Sequence, residues 1–82
     1  MRHRNFHKPV QVQIGRVDRD QVVTNTRHAA LLLLKNWPNR DSPKRRSAMK
    51  ACLQVIRGEK PPSVARRAFI AAARDVSVLL DA

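Results

Sequence analysis

The sequence is short of cysteine, of long apolar runs and of acidic residues, and each shortage narrows what the chain can be. Cys52 is the only cysteine among 82 residues, so an intrachain disulfide is excluded and a reducing cytoplasm is expected. No unbroken apolar run exceeds the six residues of 29–34, which is far shorter than the roughly 20 residues that a membrane-spanning helix needs. The basic first residues are not followed by an apolar segment, so we do not expect a secretory signal.

Motifs for catalysis and for cofactor binding are also missing. There is no glycine-rich phosphate loop, no zinc-ligand spacing and no nucleophile motif. Cys52 lies on the apolar side of a predicted helix, where a buried structural thiol is expected. His3 and His7 stand four residues apart without a further ligand, which is a poor metal site. We therefore expect neither an enzyme nor a bound metal or cofactor.

Positive charge is what the sequence has in excess. The 17 Lys and Arg stand against 6 Asp and Glu, which gives a formal net charge of +11. This imbalance favours an anionic partner, such as nucleic acid, an acidic protein or an anionic membrane. A soluble basic chain with no such partner is the competing interpretation, because net charge does not determine fold or function. A membrane partner is disfavoured, since no basic amphipathic helix carries large exposed apolar residues.

The apolar pattern predicts an α+β fold, in which an N-terminal β-hairpin packs on three helices. Residues 1–8 are predicted to form a flexible basic arm, and residues 9–82 are predicted to form one small domain with a single core. Alternation of apolar and polar residues predicts two strands, over residues 9–17 and 21–23, joined by a polar turn. A lone two-stranded ribbon is marginal in water, so the hairpin must lie on the helices or pair with a second chain.

The first predicted helix begins at a cap within residues 24–26 and ends near Trp37, because Pro38 disfavours helical conformation in the residue before it. One face is expected to hold Ala29, Ala30, Leu33, Leu34 and Trp37. Leu31 and Leu32 point elsewhere, so we expect the helix to be covered on more than one side. Trp37 is expected to anchor the core, and a stacking role against a ligand stays open.

Two further helices are predicted. The second follows the cap residue Ser42, has Pro43 in its first turn and stops at a left-handed Gly58. Its buried face is expected to hold Ala48, Met49, Cys52, Val55 and Ile56. The third runs from the cap residue Ser63 to about Leu80. Its apolar stripe comprises Val64, Ala65, Ala68, Phe69, Ala72, Val76, Leu79 and Leu80.

Three consecutive cations, Lys44, Arg45 and Arg46, occupy the first turn of the second helix, where positive charge opposes the helix dipole. When residues depart from such a local preference without an evident benefit to stability, they mark a candidate functional site. Free amides and clustered cations there would bind phosphate. The competing interpretation is a solvated basic face. The candidate phosphate contacts are Arg40, Lys44, Arg45, Arg46 and Lys50, with Arg2, Arg4 and Lys8 of the arm.

The last predicted helix carries a second candidate surface. Arg67, Ile70 and Arg74 recur at spacings of three and four, away from the apolar stripe, and Arg66 lies beside them. Apolar residues within a polar face can mark a contact surface for protein or nucleic acid. Single exposed apolar residues are also ordinary, so a solvated face is the competing interpretation.

Several short motifs together resemble a known family. They are Phe6 with Pro9-Val10-x-Val12, Trp37-Pro38, Ala48 with Cys52, Gly58, and Ala65-Arg66-x-Ala68-Phe69-Ile70-x-Ala72-Ala73. The family is a small uncharacterised bacterial domain of unknown function, found in rhizobia-like alphaproteobacteria, and the resemblance implies no activity, cofactor or partner. The family usually has a Gly soon after Trp-Pro, where this chain has residues 39–43, so the resemblance implies no role for the basic helix start. Arg66, in the shared run, would pair with Asp75, Asp81 or a backbone carbonyl, or point at a partner.

The function expected from the sequence is a non-enzymatic module that binds an anionic partner, foremost nucleic acid, through phosphate contacts. Base reading is not expected, because no recognition-helix signature is visible. The alternative is a protein–protein interaction module or a homodimer. Its interface would be the free edge of the hairpin, or Leu31 and Leu32.

Overall fold

The computed structural model of the chain describes residues 5–14 and 20–82. The elements are β1 (Asn5–Gln13), β2 (Asp20–Asn25), α1 (Thr26–Lys35), α2 (Pro43–Ile56), α3 (Pro62–Asp75) and β3 (Leu79–Asp81). The predicted α+β fold, with an N-terminal hairpin and three helices, is confirmed. Arg2 and Arg4 of the predicted arm, and the hairpin turn, lie outside the described residues.

One antiparallel sheet has the strand order β2-β1-β3, so β1 is its central strand. Val10 pairs with Val23 of β2, and Val12 pairs with Leu79 of β3. The side chains of Val10, Val12, Ile14 and Val23 are buried, as the alternation predicted. β3 has three residues and pairs with β1 near residues 11 and 12, so the first half of β1 has no neighbouring strand on that side among residues 5–14 and 20–82.

β1 starts earlier than predicted, so residues 5–8 of the expected arm belong to the sheet. Phe6 is buried and anchors this end of the strand. Asn5 pairs with Asn25 but Val10 with Val23, so five steps along β1 (5 to 10) match only two along β2 (23 to 25). Pro9 lies in this irregular stretch, where its missing N–H removes no hydrogen bond from the ladder.

The first two helices begin at caps that the sequence proposed. Asn25 caps α1, since its Oδ1 accepts a hydrogen bond from the His28 amide at 2.8 Å. Ser42 caps α2, and its Oγ accepts from the Arg45 amide at 3.3 Å. Within the predicted apolar face of α2, Ala48, Cys52 and Val55 are buried and Met49 and Ile56 half-buried, which confirms that face.

The buried face of α1 differs from the prediction. Leu32 is buried in the core, whereas Leu34 is 46% exposed, and Leu31 is exposed as well. The expectation that this helix is covered on more than one side is therefore wrong. Six consecutive apolar residues, 29–34, would fit several rotations about the helix axis, and packing against β2 and α2 selects one of them.

Trp37 follows α1 and lies in the core, as predicted. Its side chain is 5% exposed, and its ring centroid lies 5.6 Å from that of Phe69 at a tilt of 55°. Its indole Nε1–H finds no acceptor among the described residues. Phe69 is the largest fully buried side chain of α3, so this aromatic pair joins the end of α1 to the middle of α3.

α3 is shorter than predicted at its C-terminal end, and its N-cap is not Ser63. The N-cap is Pro61, which makes no side-chain hydrogen bond, and Ser63 lies inside the first turn. The helix ends at Asp75 because Ser77 takes a left-handed conformation, with φ of +60°. The amide of Ser77 donates to the Arg74 carbonyl at 3.1 Å, and that of Val78 donates to the Ala73 carbonyl at 3.0 Å.

These two hydrogen bonds form a Schellman motif, which reverses the chain after α3. The reversal directs Leu79 and Leu80 into β3 instead of into a last helical turn. The Gln13 amide donates to the Val78 carbonyl at 2.9 Å and extends the pairing with β1. The sheet thus acquires a third strand that the sequence analysis assigned to the helix.

Candidate anion-binding surfaces

The cations at the start of α2 meet the C-terminal end of α1. Arg45 Nε donates to the Leu33 carbonyl at 2.7 Å, and Arg40 Nη2 donates to the Leu34 carbonyl at 3.3 Å. Carbonyls in the last turn of a helix lack intrahelical donors and lie at the negative end of its dipole. Arg45, whose charge opposes the dipole of α2, therefore interacts favourably with the dipole of α1, a role that only the packing of the two helices reveals.

The other predicted phosphate contacts of this region lie within residues 44–50, in the first part of α2. Arg45 is half-buried and also donates Nη1 to the Arg40 carbonyl at 3.0 Å. Arg46 Nη2 donates to the Asp41 carbonyl at 3.2 Å. The side chains of Lys44 and Lys50 are exposed and form no hydrogen bond or ion pair with any described residue. We define the α2 cationic surface as Arg40, Lys44, Arg45, Arg46 and Lys50.

A carboxylate from another helix lies at the start of α2. The buried Ser42 Oγ donates to Asp75 Oδ2 at 2.8 Å while accepting from the Arg45 amide. Asp75 is the last residue of α3, so the hydroxyl links the beginning of α2 to the end of α3. An acid at a helix N-terminus is favourable, and here the tertiary fold supplies the one that the first turn of α2 lacks.

A groove between β1 and α3 forms the second basic surface. It has a volume of about 380 Å³ and is lined by His7, Ser63, Arg66, Arg67, Ile70, Ala71 and Arg74. We define these seven residues as the β1–α3 groove. It contains all four residues of the predicted interaction face, and none of the carboxylates in the described part of the chain lines it. His7 was not predicted for this surface, because it comes from β1, distant in sequence from α3.

Arg66 forms the wall of the groove next to β1. Its Nε donates to the Lys8 carbonyl at 2.9 Å, which selects the backbone carbonyl among the partners proposed for it. Lys8 lies in the irregular stretch of β1, which has no partner residue in β2. The bulged strand thus exposes a carbonyl that Arg66 uses, and the Lys8 side chain is exposed.

The arginines with hydrogen bonds share one property. Arg40, Arg45, Arg46 and Arg66 all donate to backbone carbonyl oxygens and not to carboxylates. A neutral acceptor orients a guanidinium without cancelling its charge. These four positive charges are therefore held in defined positions and left available to an external anion.

The remaining reactive group is the thiol of Cys52. It is fully buried, and desolvation raises its pKa to about 12, so it is protonated at neutral pH and unsuited to nucleophilic attack. Within residues 5–14 and 20–82, no three His, Cys, Asp or Glu side chains are grouped closely enough to hold a metal ion. None of the helices in the described part of the chain is long and apolar enough to span a bilayer.

Comparison with known proteins places the chain in a family but does not identify an activity. Neither the curated proteins nor the solved structures include a match to it. A family model does match, over residues 8–80, which include all three helices, most of the sheet and nearly all of both basic surfaces. The resemblance to a domain of unknown function is thereby confirmed. The chain belongs to the family described as Protein of unknown function (DUF982).

Proposed function

We propose that this domain is a non-enzymatic module that binds nucleic acid through contacts with phosphate groups. The observation that carries the proposal is the set of arginines oriented by backbone carbonyls. A guanidinium has five N–H donors, and a hydrogen bond to one carbonyl leaves the others free. An oriented guanidinium binds phosphate oxygens with less loss of side-chain entropy than a free one, which suits it to phosphate recognition.

The α2 cationic surface is the proposed principal contact. Lys44 and Lys50 would bind phosphates as mobile charges, and Arg40, Arg45 and Arg46 through their remaining donors. Arg2, Arg4 and Lys8 would follow the backbone of the nucleic acid. Such contacts position a protein on its target without reading sequence. A single buried thiol is compatible with the reducing cytoplasm, which we propose as the location.

A salt-dependent titration by fluorescence anisotropy tests this proposal. Affinity for short DNA or RNA should fall linearly in a log–log plot against salt, because each phosphate contact releases counterions. The double variant Lys44→Gln/Lys50→Gln should reduce the slope on duplex DNA by roughly 1.8, at about 0.9 per lost contact. Both side chains are exposed and unpartnered among the described residues, so the fold should persist. No binding at low salt would overturn the proposal.

A second candidate function is a homodimer that pairs through β2. The sheet order leaves β2 at an edge, where Val22 is 52% exposed. Leu31 is also exposed, but Leu32 is buried in the core and is not available for an interface. Light scattering at two concentrations should then show a mass that rises towards twice that of the monomer, and Val22→Lys should abolish the rise. A constant monomer mass would exclude the dimer.

A further inference from the structure

The β1–α3 groove differs from the α2 cationic surface because it also contains apolar surface. Ile70 and Ala71 are half-buried and lie one helical turn from Arg67 on one side and from Arg74 on the other. The two arginines are seven residues apart, which is roughly 10 Å along the helix axis. Charge and apolar surface therefore alternate along the groove.

The side chains on the walls of the groove can also contact a ligand. The Nε bond to the Lys8 carbonyl holds Arg66 in place and leaves its Nη donors for a ligand. The side chains of Arg67 and Arg74 are exposed and form no hydrogen bond or ion pair with any described residue. His7 adds an exposed aromatic ring from the side of β1. The groove thus offers three guanidinium groups, one imidazole ring and an aliphatic floor.

We infer that this groove binds a single-stranded nucleic acid, with phosphates on Arg66, Arg67 and Arg74 and a base between His7 and the Ile70–Ala71 floor. The inference rests on the proposed function and specifies the form of nucleic acid. A duplex keeps its bases stacked inside and would leave the floor unused, whereas a single strand presents phosphates and bases together. The volume of about 380 Å³ lies near the lower end of the roughly 300–1,000 Å³ typical of ligand sites, which fits one nucleotide.

An acidic peptide with aliphatic side chains is the competing occupant. Its carboxylates would pair with the arginines, but it would bring no flat ring to stack on His7. The single strand uses the guanidinium groups, the imidazole ring and the aliphatic floor together, so it is the occupant that the structure favours.

Fluorescence anisotropy with the full chain tests the inference on three probes: a short single-stranded DNA, its duplex, and an abasic strand with the same number of phosphates. The single strand should bind more tightly than the duplex. The abasic strand should bind more weakly by on the order of tenfold, the effect of losing one stacked base. Its salt slope should equal that of the intact strand, because the phosphate contacts are the same.

Two matched double variants locate the site. Arg67→Gln/Arg74→Gln should lower the salt slope on single-stranded DNA by roughly 1.4, at about 0.7 per phosphate, and remove the preference over duplex. Arg27→Gln/Lys35→Gln removes the same charge from α1, outside both basic surfaces, and should leave that preference intact. All four side chains are exposed, and far-UV circular dichroism checks that each variant is folded.

The outcomes separate this inference from the proposed function. No binding of any nucleic acid at low salt would overturn both. Binding with equal affinity for single strand and duplex, or an equal loss of preference in both double variants, would overturn the groove and leave the proposed function standing. Displacement of the single strand by a Glu- and Leu-containing peptide at lower concentration than by the abasic strand would assign the groove to a peptide instead.

Discussion

Replacing Arg45 should destabilise the fold far more than replacing its neighbour Lys44, although both are cations in the first turn of α2. Arg45 is half-buried and donates to the Leu33 carbonyl at 2.7 Å and to the Arg40 carbonyl at 3.0 Å. Lys44 is exposed and makes no such hydrogen bond to a described residue. The comparison therefore isolates the structural role of one guanidinium from the general effect of charge.

The magnitude follows from the groups that Arg45→Ala leaves without a partner. A hydrogen bond that involves a charged group contributes about 1.5–3 kcal/mol, and partial exposure reduces that value. Losing a cation at the end of α1 adds about 0.3–1 kcal/mol. We expect a total loss of about 2–3 kcal/mol in the free energy of unfolding. For a domain of 82 residues, that corresponds to a fall in Tm of roughly 10–20 °C.

Thermal and urea unfolding, followed by circular dichroism, would measure the effect. Lys44→Ala should change the free energy of unfolding by less than about 0.5 kcal/mol, as expected for an exposed side chain. Arg45→Lys keeps the charge but lacks the planar fork that reaches two carbonyls, so it should recover only part of the loss. Equal effects of Lys44→Ala and Arg45→Ala would refute the structural role. Full recovery by Arg45→Lys would show that charge alone matters.

Three further predictions concern other single contacts. Ser77→Gly should raise the free energy of unfolding by about 0.5–1 kcal/mol in urea titrations, because glycine accepts the left-handed conformation without strain, and a decrease would contradict it. Ser42→Ala should lower the free energy of unfolding by about 1–2 kcal/mol, because α2 loses its cap. A double-mutant cycle with Asp75→Asn should give a non-zero coupling energy, and additive effects would show that the hydrogen bond between the two side chains does not stabilise the fold. Cys52 should resist alkylation until the protein unfolds. Stability should also fall above pH 9.0, by at most about 1.4 kcal/mol per pH unit, because only the unfolded thiol ionises below pH 12. Rapid labelling of the folded protein would contradict its burial.

The C-terminal ends of α2 and α3 show what local sequence can and cannot reveal. Gly58 stops α2 with φ of +81°, and a Cβ there would meet nothing within 4 Å, so backbone conformation alone makes glycine favourable. A glycine is visible in the sequence, and the prediction was correct. Ser77 ends α3 with the same hydrogen-bond pattern but without the glycine signal. The apolar residues 78–80 therefore resembled a further turn of helix.

The two basic surfaces were predictable to different degrees. The i, i+3 and i+4 spacing placed Arg67, Ile70 and Arg74 on one face of α3, and the structure locates them in one groove. His7 could not be added, because nothing local relates β1 to α3. At the start of α2, the sequence indicated an unusual cluster of cations. It could not show that Arg45 donates a hydrogen bond to a carbonyl at the end of α1, since that depends on how the two helices pack.

Local sequence is enough to specify the features that depend on neighbours within one or two turns. These are the alternating face of β1, a helix cap within residues 24–26, the cap Ser42, the stop at Gly58 and the apolar side of α2. The tertiary structure alone decided which leucines of α1 are buried, that the chain after α3 becomes a strand, and which carbonyls the arginines reach. For each of these features, the local sequence favoured the alternatives about equally. A contact with a distant element, such as the open side of β1 or the end of α1, made one of the alternatives favourable.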